Sequence, residues 1–179
     1  MSSKVTSIRL RTQLVNTNII SKLNYCNAVY VGLPKKQLHK LDKLLKSSAR
    51  FIFKICGRKN FQNVSITPFL QKLKFLPMRY RSQFKINLLN YKSLNNQGPS
   101  YLKPLLKLHK SLRKTRKDGD LTWLDKFSIN DLNERERSFS YAAPDIWNRL
   151  SQDIRESASV ASFKSKLKRF YLYDWIGDT

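Results

Sequence analysis

The sequence predicts a mainly α-helical chain, in which a helical bundle is followed by a small C-terminal module with a short β-hairpin and two helices. Three observations lead to this prediction. Apolar residues recur every three or four positions over much of residues 1–108, which is the period of a helix buried on one side. Turn-forming runs at 32–34 and 95–99 divide that part into separate helices. Near the C-terminus, Phe139 and Tyr141 alternate with serines, which favours a short strand.

The first predicted helix begins near residue 7 and loosens towards Tyr25, and Gly32-Leu33-Pro34 ends it. Tyr25 is interpreted as a structural anchor. Cys26 follows it, and because no histidine lies nearby in sequence, a packed thiol is favoured over a nucleophile.

The segment Lys35–Ile55 is predicted to be an amphipathic helix with an apolar stripe at steps of three and four: Leu38, Leu41, Leu45, Ala49 and Ile52. Six cations share the opposite side, here called the cation stripe: Lys36, Lys40, Lys43, Lys46, Arg50 and Lys54. Asp42 is the one acid among them, so pairing within the helix cannot explain the row. Contact with phosphates is the favoured interpretation, and an ordinary solvated face is the alternative.

Two further helices are expected before residue 95. Thr67 is predicted to be the N-cap of a short helix with Pro68 at its first position. Pro77 starts the next helix, which places apolar side chains on one face, with cations beside it that are candidates for nucleic-acid contact. The apolar set is Tyr80, Phe84, Leu88 and Tyr91, and the cations are Arg81 and Lys85.

Residues 109–120 are predicted to be a basic linker, because the segment has no apolar period and is rich in cations. Its candidate phosphate contacts are Arg113, Lys114, Arg116 and Lys117. The domains are therefore a basic helical domain at 1–108, this linker, and a tail module at 121–179.

In the tail module, Leu121–Leu124 is predicted to pair as a strand with Phe139–Tyr141. Pro144 suits the first turn of a short helix that buries Trp147. Ser159 is the expected N-cap of the last helix, in which Phe163 and Leu167 lie on the apolar arc. Trp147 is expected to pack on both.

The charge is extreme and uneven. The chain carries a formal net charge of +23, and residues 1–117 hold 26 Lys or Arg against the single acid Asp42. Polyanions are the partners that such a surface attracts. The remaining 62 residues hold 9 basic and 11 acidic side chains, so the tail contributes little to this attraction.

Several classes of protein are disfavoured. Two cysteines are too few for a disulfide framework, and no uncharged apolar run approaches a membrane span. No secretory signal is expected, and mitochondrial import is disfavoured. No cofactor and no metal are predicted, because His39 and His109 stand alone. The acids Asp118, Asp120, Glu134 and Glu136 are interpreted as solvated loop residues. An intracellular protein, in a nuclear or cytoplasmic ribonucleoprotein, is the expectation.

Motifs over most of the chain add a resemblance. The tail carries Arg137, Phe139, Ser140, Ala143, Pro144, Trp147, Asn148 and Leu150, then Ile154, Arg155, Ser162, Phe163, Lys164, Leu167 and Lys168. Upstream lie NYCN with GLP, ITPFLQKLKFLP, FKINLLNYKSL and PSYL. Over roughly residues 10–172 this pattern resembles the C-terminal end of the reverse transcriptase of jockey-like, LINE-type non-LTR retrotransposons. Asn24, Phe75 and Ser151 depart from the family's aspartate, tryptophan and proline.

The resemblance implies a thumb-like helical bundle and tail, without the palm and endonuclease of that RNA-directed DNA polymerase. No catalytic residue carries over, and the chain has no Asp-Asp pair of the kind the family uses to hold Mg²⁺. The implied partners are RNA or DNA, gripped with little sequence selectivity, and the rest of the polymerase. The expected structural anchors are Tyr25, Pro77, Phe84, Tyr91, Pro144, Trp147, Phe163 and Leu167.

The sequence leaves three other functions as alternatives. A stand-alone basic RNA-binding protein of ribosomal type is the main alternative. A protein of the membrane surface would use the 35–55 helix, but few aromatic anchors flank it. An enzyme acting alone is the least favoured.

Overall fold

Helices make up most of the structure, a computed structural model that describes residues 6–55, 65–109, 122–126 and 139–177. The predicted mainly α-helical class is therefore confirmed. The chain divides into two compact units. The N-terminal unit comprises Met1–Asn27 and Leu33–Arg81, and the C-terminal unit comprises Ala28–Gly32 and Ser82–Thr179.

The described segments contain eight α-helices and three turns of other helix types. The α-helices are α1 (Ile8–Val15), α2 (Ser21–Asn24), α3 (Lys35–Phe53), α4 (Thr67–Leu73), α5 (Met78–Leu94), α6 (Phe139–Asn148), α7 (Gln152–Arg155) and α8 (Val160–Gly177). A π-helical turn (Asn16–Ile20) joins α1 to α2, and 3-10 turns occupy Asn27–Tyr30 and Ser100–Leu105.

In the N-terminal unit, α1 and α4 pack on α3. Ser7 caps α1 by accepting a hydrogen bond from the Leu10 N–H. The predicted apolar stripe of α3 is buried at Leu45, Ala49 and Ile52, each at most 1% exposed, so the helix is committed to the core along this side.

Helices α3 and α4 end in the same way. Lys54 and Lys74 adopt the left-handed conformation, with φ of 55° in both. The next N–H in each case donates back five residues, from Ile55 to the Arg50 carbonyl and from Phe75 to the Leu70 carbonyl, both at 2.9 Å. This is the Schellman arrangement, formed here with lysine where glycine is usual.

Asp42, the one acid of residues 1–117, has a structural task. Its carboxylate accepts the N–H of Met78 at 2.8 Å, at the first residue of α5. The first N–H groups of a helix have no partner within it and carry its positive dipole end, so a carboxylate stabilises this start.

The C-terminal unit is built around aromatic side chains. Tyr91 and Phe163 stack with ring centroids 4.2 Å apart, and the Trp147 ring lies 5.9 Å from that of Phe163. Trp147 is 1% exposed, and Phe163 and Leu167 are fully buried, so the predicted burial of this tryptophan is confirmed. The Ser159 hydroxyl accepts the Ser162 N–H, which confirms it as the N-cap of α8.

The predicted β-hairpin is wrong. Phe139–Tyr141 is the first turn of α6, because the apolar period continues as a helix through Ala142, Ala143 and Ile146, which are buried. Leu124 instead forms an isolated antiparallel bridge with Leu108. Among the described residues no strand forms.

Two helix starts also differ from the prediction. Pro144 lies inside α6, not in its first turn, because the helix begins five residues earlier; its ring is buried in the core. At α4 the N-cap is Ile66, so Thr67 and Pro68 take the first two helical positions. Neither position needs an N–H for the helix, which is why proline fits there.

The structure corrects the predictions for Tyr25 and Cys26. Tyr25 is 76% exposed and so is not an anchor within its unit, and Cys26 is exposed, not packed. The cause is the chain direction after α2, since Tyr25 leaves the helix with extended ψ and Cys26 has a positive φ of 51°.

Helix α5 buries polar side chains that the sequence pattern did not indicate. Asn87, Asn90 and Ser93 are at most 2% exposed, whereas the predicted anchors Phe84 and Pro77 are only half-buried. Asn87 donates to the Tyr171 hydroxyl at 2.8 Å, and Asn90 to the Ala143 carbonyl at 3.1 Å. These bonds join α5 to α8 and α6 within the C-terminal unit.

The residues predicted to be a separate tail module share the C-terminal unit with residues 82–109. Of the predicted linker, only His109 lies within the described residues. Its ring Nδ1 is 2.6 Å from the Asp125 carboxylate, and its backbone N–H donates to the Trp123 carbonyl at 2.8 Å.

Candidate nucleic-acid interface

The cation stripe lies on the side of α3 opposite its buried residues. Five of its six members are exposed, Lys36, Lys40, Lys43, Arg50 and Lys54, and Lys46 is half-buried. None of the six makes an ion pair with an acid in the part of the chain that the structure describes. The stripe is therefore an unneutralised row of positive charge.

The one acid on α3 does not neutralise this row. The Asp42 carboxylate is half-buried and engaged with the Met78 N–H. Successive stripe cations are three or four residues apart, a spacing that makes side chains neighbours on a helix surface. Like charges at this spacing repel, so the row gains stability from an anion that lies along it.

Arg81 does not join an open cation surface, contrary to the sequence-based assignment. Its Nε donates to the Leu76 carbonyl at 2.6 Å and its Nη1 to the Asn24 side-chain oxygen at 2.8 Å. The guanidinium lies 5.7 Å from the centroid of the Phe75 ring. Burial lowers the pKa of Arg81 to about 10, and the Asp42 charge partly opposes this shift. Arg81 is thus a charged structural residue that ties α5 to α2 within the N-terminal unit.

The other predicted nucleic-acid contacts are Lys85 and the linker cations. Lys85 is exposed on α5, in the C-terminal unit. The linker cations Arg113, Lys114, Arg116 and Lys117 lie outside the described residues.

An apolar groove of about 410 Å³, which was not predicted from the sequence, adjoins the cation stripe. It runs between α3 on one side and α1 with the π-helical turn that follows it on the other. Its lining residues are Leu14, Val15, Asn18, Ile19, Leu44, Ser47, Ser48 and Phe51. Leu44 and Phe51 lie seven residues apart and off the predicted apolar stripe of α3. That spacing is the sequence signal that could have pointed to the groove.

Trp147 and Asn148 make hydrogen bonds to the backbone of residues 122–124 that were not predicted from the sequence. The Trp147 indole donates to the Thr122 carbonyl at 2.7 Å. The Asn148 amide accepts from the Leu124 N–H at 3.0 Å and donates to the Leu124 carbonyl at 2.8 Å. Together they hold residues 122–124 against α6.

Neither a metal centre nor a membrane span emerges from the described segments. Within residues 6–55, 65–109, 122–126 and 139–177, no three His, Cys, Asp or Glu side chains are grouped so as to hold a metal ion. No helix in those ranges has the length and apolar character needed to cross a bilayer.

Comparisons with known proteins identify no relative. No family model matches the chain, and neither a curated protein nor a solved structure matches it.

Proposed function

We propose that this chain is a non-catalytic, nucleic-acid-binding segment of a LINE-type reverse transcriptase, and that it grips RNA or DNA by the phosphate backbone. The observation that carries the proposal is the cation stripe: five exposed cations on a helix whose opposite side is buried, without an acid paired to them in the described residues. Such a surface is held outward by the fold and has no internal counter-charge.

Binding of a polyanion would relieve the repulsion along the stripe and release the counterions condensed on the nucleic acid. Both effects depend on charge and not on base sequence, so the proposed binding has little sequence selectivity. The proposed setting is a nuclear or cytoplasmic ribonucleoprotein, where the rest of the polymerase is the protein partner.

The retrotransposon assignment rests on the motifs of the sequence, and the packing supports it. Of the residues that carry the resemblance, Pro144, Trp147, Phe163 and Leu167 are buried in the core of the C-terminal unit, and Asn148 holds residue 124. A pattern shared over such positions reflects a shared way of folding, so we propose a thumb-like and tail segment of that polymerase.

The test replaces three stripe cations, as Lys40→Gln, Lys43→Gln and Arg50→Gln. Glutamine keeps good helix propensity, and all three side chains are exposed, so only charge is lost. With about six phosphate contacts, the parent should lose affinity on the order of a thousandfold between 50 and 200 mM salt. The triple variant should bind more weakly at low salt, and its plot of log affinity against log salt should be shallower by about two to three units.

A matched control removes three other exposed cations, as Lys164→Gln, Lys168→Gln and Arg169→Gln on α8. It makes the same change in net charge and should weaken binding much less. If the stripe variant binds like the parent with the same salt slope, or if both triple variants lose affinity equally, the stripe is a solvated face. The linker cations Arg113 to Lys117 then become the candidates.

A further inference from the structure

The apolar groove and the cation stripe share one row of side chains on α3. Lys40, Leu44, Ser47 and Phe51 follow one another at steps of three or four residues, so they are neighbours along one line of α3, and Lys54 follows three residues later, where the helix ends. The row thus begins and ends with a cation, and between them lie two large apolar side chains and Ser47. Its length is roughly 20 Å at the rise of an α-helix.

The apolar part of this row is open to solvent. Leu44 is 50% exposed and Phe51 is 47% exposed, and across the groove Leu14 is 43% exposed. Apolar side chains that are exposed next to one another are a feature of binding surfaces. The polar groups that line the same groove are Asn18, Ser47 and Ser48.

A buried guanidinium lies beside Phe51. Arg11 is 8% exposed, and its Nη1 reaches the Phe51 carbonyl only at the long distance of 3.5 Å. Its buried Nε has no hydrogen-bond partner among the described residues. A charge buried with so little compensation is costly, and a negative ligand nearby would lower that cost.

These features together select the occupant. The cations at the ends of the row attract a polyanion, and the apolar, partly aromatic wall between them favours a polyanion that also carries flat apolar groups. A duplex shields its bases by stacking and pairing, whereas a single strand presents bases that can stack on an aromatic ring. An acidic amphipathic helix would meet the same charges, but the groove of about 410 Å³ is the size of a small-ligand site.

We propose that this groove takes an unpaired base of a single-stranded polynucleotide, stacked on Phe51, while its phosphates lie on the cation stripe. This inference rests on the proposed function and adds the state of the nucleic acid, which is single-stranded.

The experiment compares Phe51→Leu and Phe51→Trp with the parent. Leucine keeps an apolar side chain but removes the aromatic face, and tryptophan keeps the face. The probes are oligouridylate and oligothymidylate of about 12 nucleotides, within the site sizes of single-strand-binding folds, and a duplex of equal length. Phe51→Leu should lower single-strand affinity about 5- to 100-fold in at least one of the two, Phe51→Trp should not, and duplex affinity should stay within about twofold.

A control variant, Tyr25→Ala, removes another exposed aromatic from the same unit and should leave the affinity for all three probes unchanged. A second measurement needs no variant: oligonucleotides with 5-iodouracil, irradiated with the parent, should crosslink to the peptide that contains Phe51.

The outcomes separate the two proposals. If Phe51→Leu leaves single-strand binding intact, or weakens duplex and single strand alike, or if the crosslink falls elsewhere, the base site is overturned. The proposed function still stands in those cases if the stripe variant loses affinity. If the parent binds neither single strand nor duplex with a salt-dependent affinity, both proposals fail.

Discussion

At the scale of single residues, the chain buries polar groups, and one pair of them, Asn87 and Tyr171, is joined by a hydrogen bond. Tyr171 is 2% exposed, and its hydroxyl accepts the Asn87 amide. Burial raises the pKa of the Tyr171 hydroxyl, and the Asp174 charge adds to that shift, whereas the Asn87 hydrogen bond and Arg149 oppose it. The folded state therefore holds the phenolic proton more tightly than the unfolded chain does.

This raised pKa predicts a loss of stability in alkali. Below the ordinary value of 10.0 both states keep the proton, and the stabilisation is complete. As the pH rises above that value the unfolded chain loses the proton first, so the free energy of unfolding falls by up to about 1.4 kcal/mol per pH unit from this one group. Tyr171→Phe should cost about 1–3 kcal/mol at neutral pH, because the Asn87 amide loses its partner.

Urea unfolding between pH 7 and 11 checks this prediction. The stability curve of Tyr171→Phe should fall less steeply than that of the parent above pH 10, so the two curves converge. Tyr173→Phe, at an exposed position on the same helix, should follow the parent throughout. Parallel curves for the parent and Tyr171→Phe would contradict the assigned role.

At the scale of elements, α6 shows what a sequence pattern can and cannot specify. The burial of Trp147 and the N-cap at Ser159 follow from local spacing and were predicted. The alternation of Phe139 and Tyr141 fits a strand over three residues, but the buried Ala142, Ala143 and Ile146 continue a helical period. A short apolar run does not decide between the two, and the contacts made by the longer segment do.

In the candidate site, too, the sequence predicts the features that belong to one helix and misses those that need two helices. The cation stripe is a property of one helix, so its period alone predicted it. The groove needs α1 beside α3, and the burial of Arg81 needs α2 beside α5, and no local pattern contains these pairings. The buried asparagines of α5 were missed for a related reason, since their partners Tyr171 and Ala143 lie more than fifty residues away.

Asn148 offers a test of how a short segment is held by a helix. Its amide makes both a donor and an acceptor bond to the Leu124 backbone, as a neighbouring strand would. Asn148→Asp keeps the shape but removes the donor and sets a carboxylate against the Leu124 carbonyl. We expect a loss of about 1–3 kcal/mol in the free energy of unfolding.

Urea unfolding at neutral pH measures that loss. Asn95→Asp is the matched control, because Asn95 is exposed and its side-chain amide donates to the Tyr91 carbonyl one turn away in α5. It should change stability by less than about 0.5 kcal/mol. Equal effects of the two substitutions would mean that Asn148 does not hold the segment.

At the scale of the whole molecule, most of the basic side chains and nearly all of the acidic side chains lie in different parts of the chain. Residues 1–117 contain one acid, and the fold uses it at the start of α5. Polymerisation by two metal ions needs several carboxylates brought together. We therefore predict that the purified chain, which we propose to bind nucleic acid without catalysis, extends no primer in the presence of Mg²⁺ or Mn²⁺.

A primer-extension assay on an RNA template tests this, with an active reverse transcriptase as the positive control. The same preparation should retain nucleic acid in a filter-binding assay, which shows that the protein is folded and competent to bind. Primer extension that co-purifies with the chain through several chromatographic steps would contradict the prediction.

The isolated bridge between Leu108 and Leu124 has a further consequence for the length of the chain. The bonds from His109 to Trp123 and from Asp125 to Lys107 fix two points of the backbone side by side. The residues that connect these two points therefore close a loop. The entropy lost when a flexible loop closes grows only with the logarithm of the number of residues in the loop. Doubling the connection would cost about 0.6 kcal/mol. We therefore predict that an insertion between His109 and Thr122 changes the free energy of unfolding of the C-terminal unit only slightly, which urea unfolding would measure.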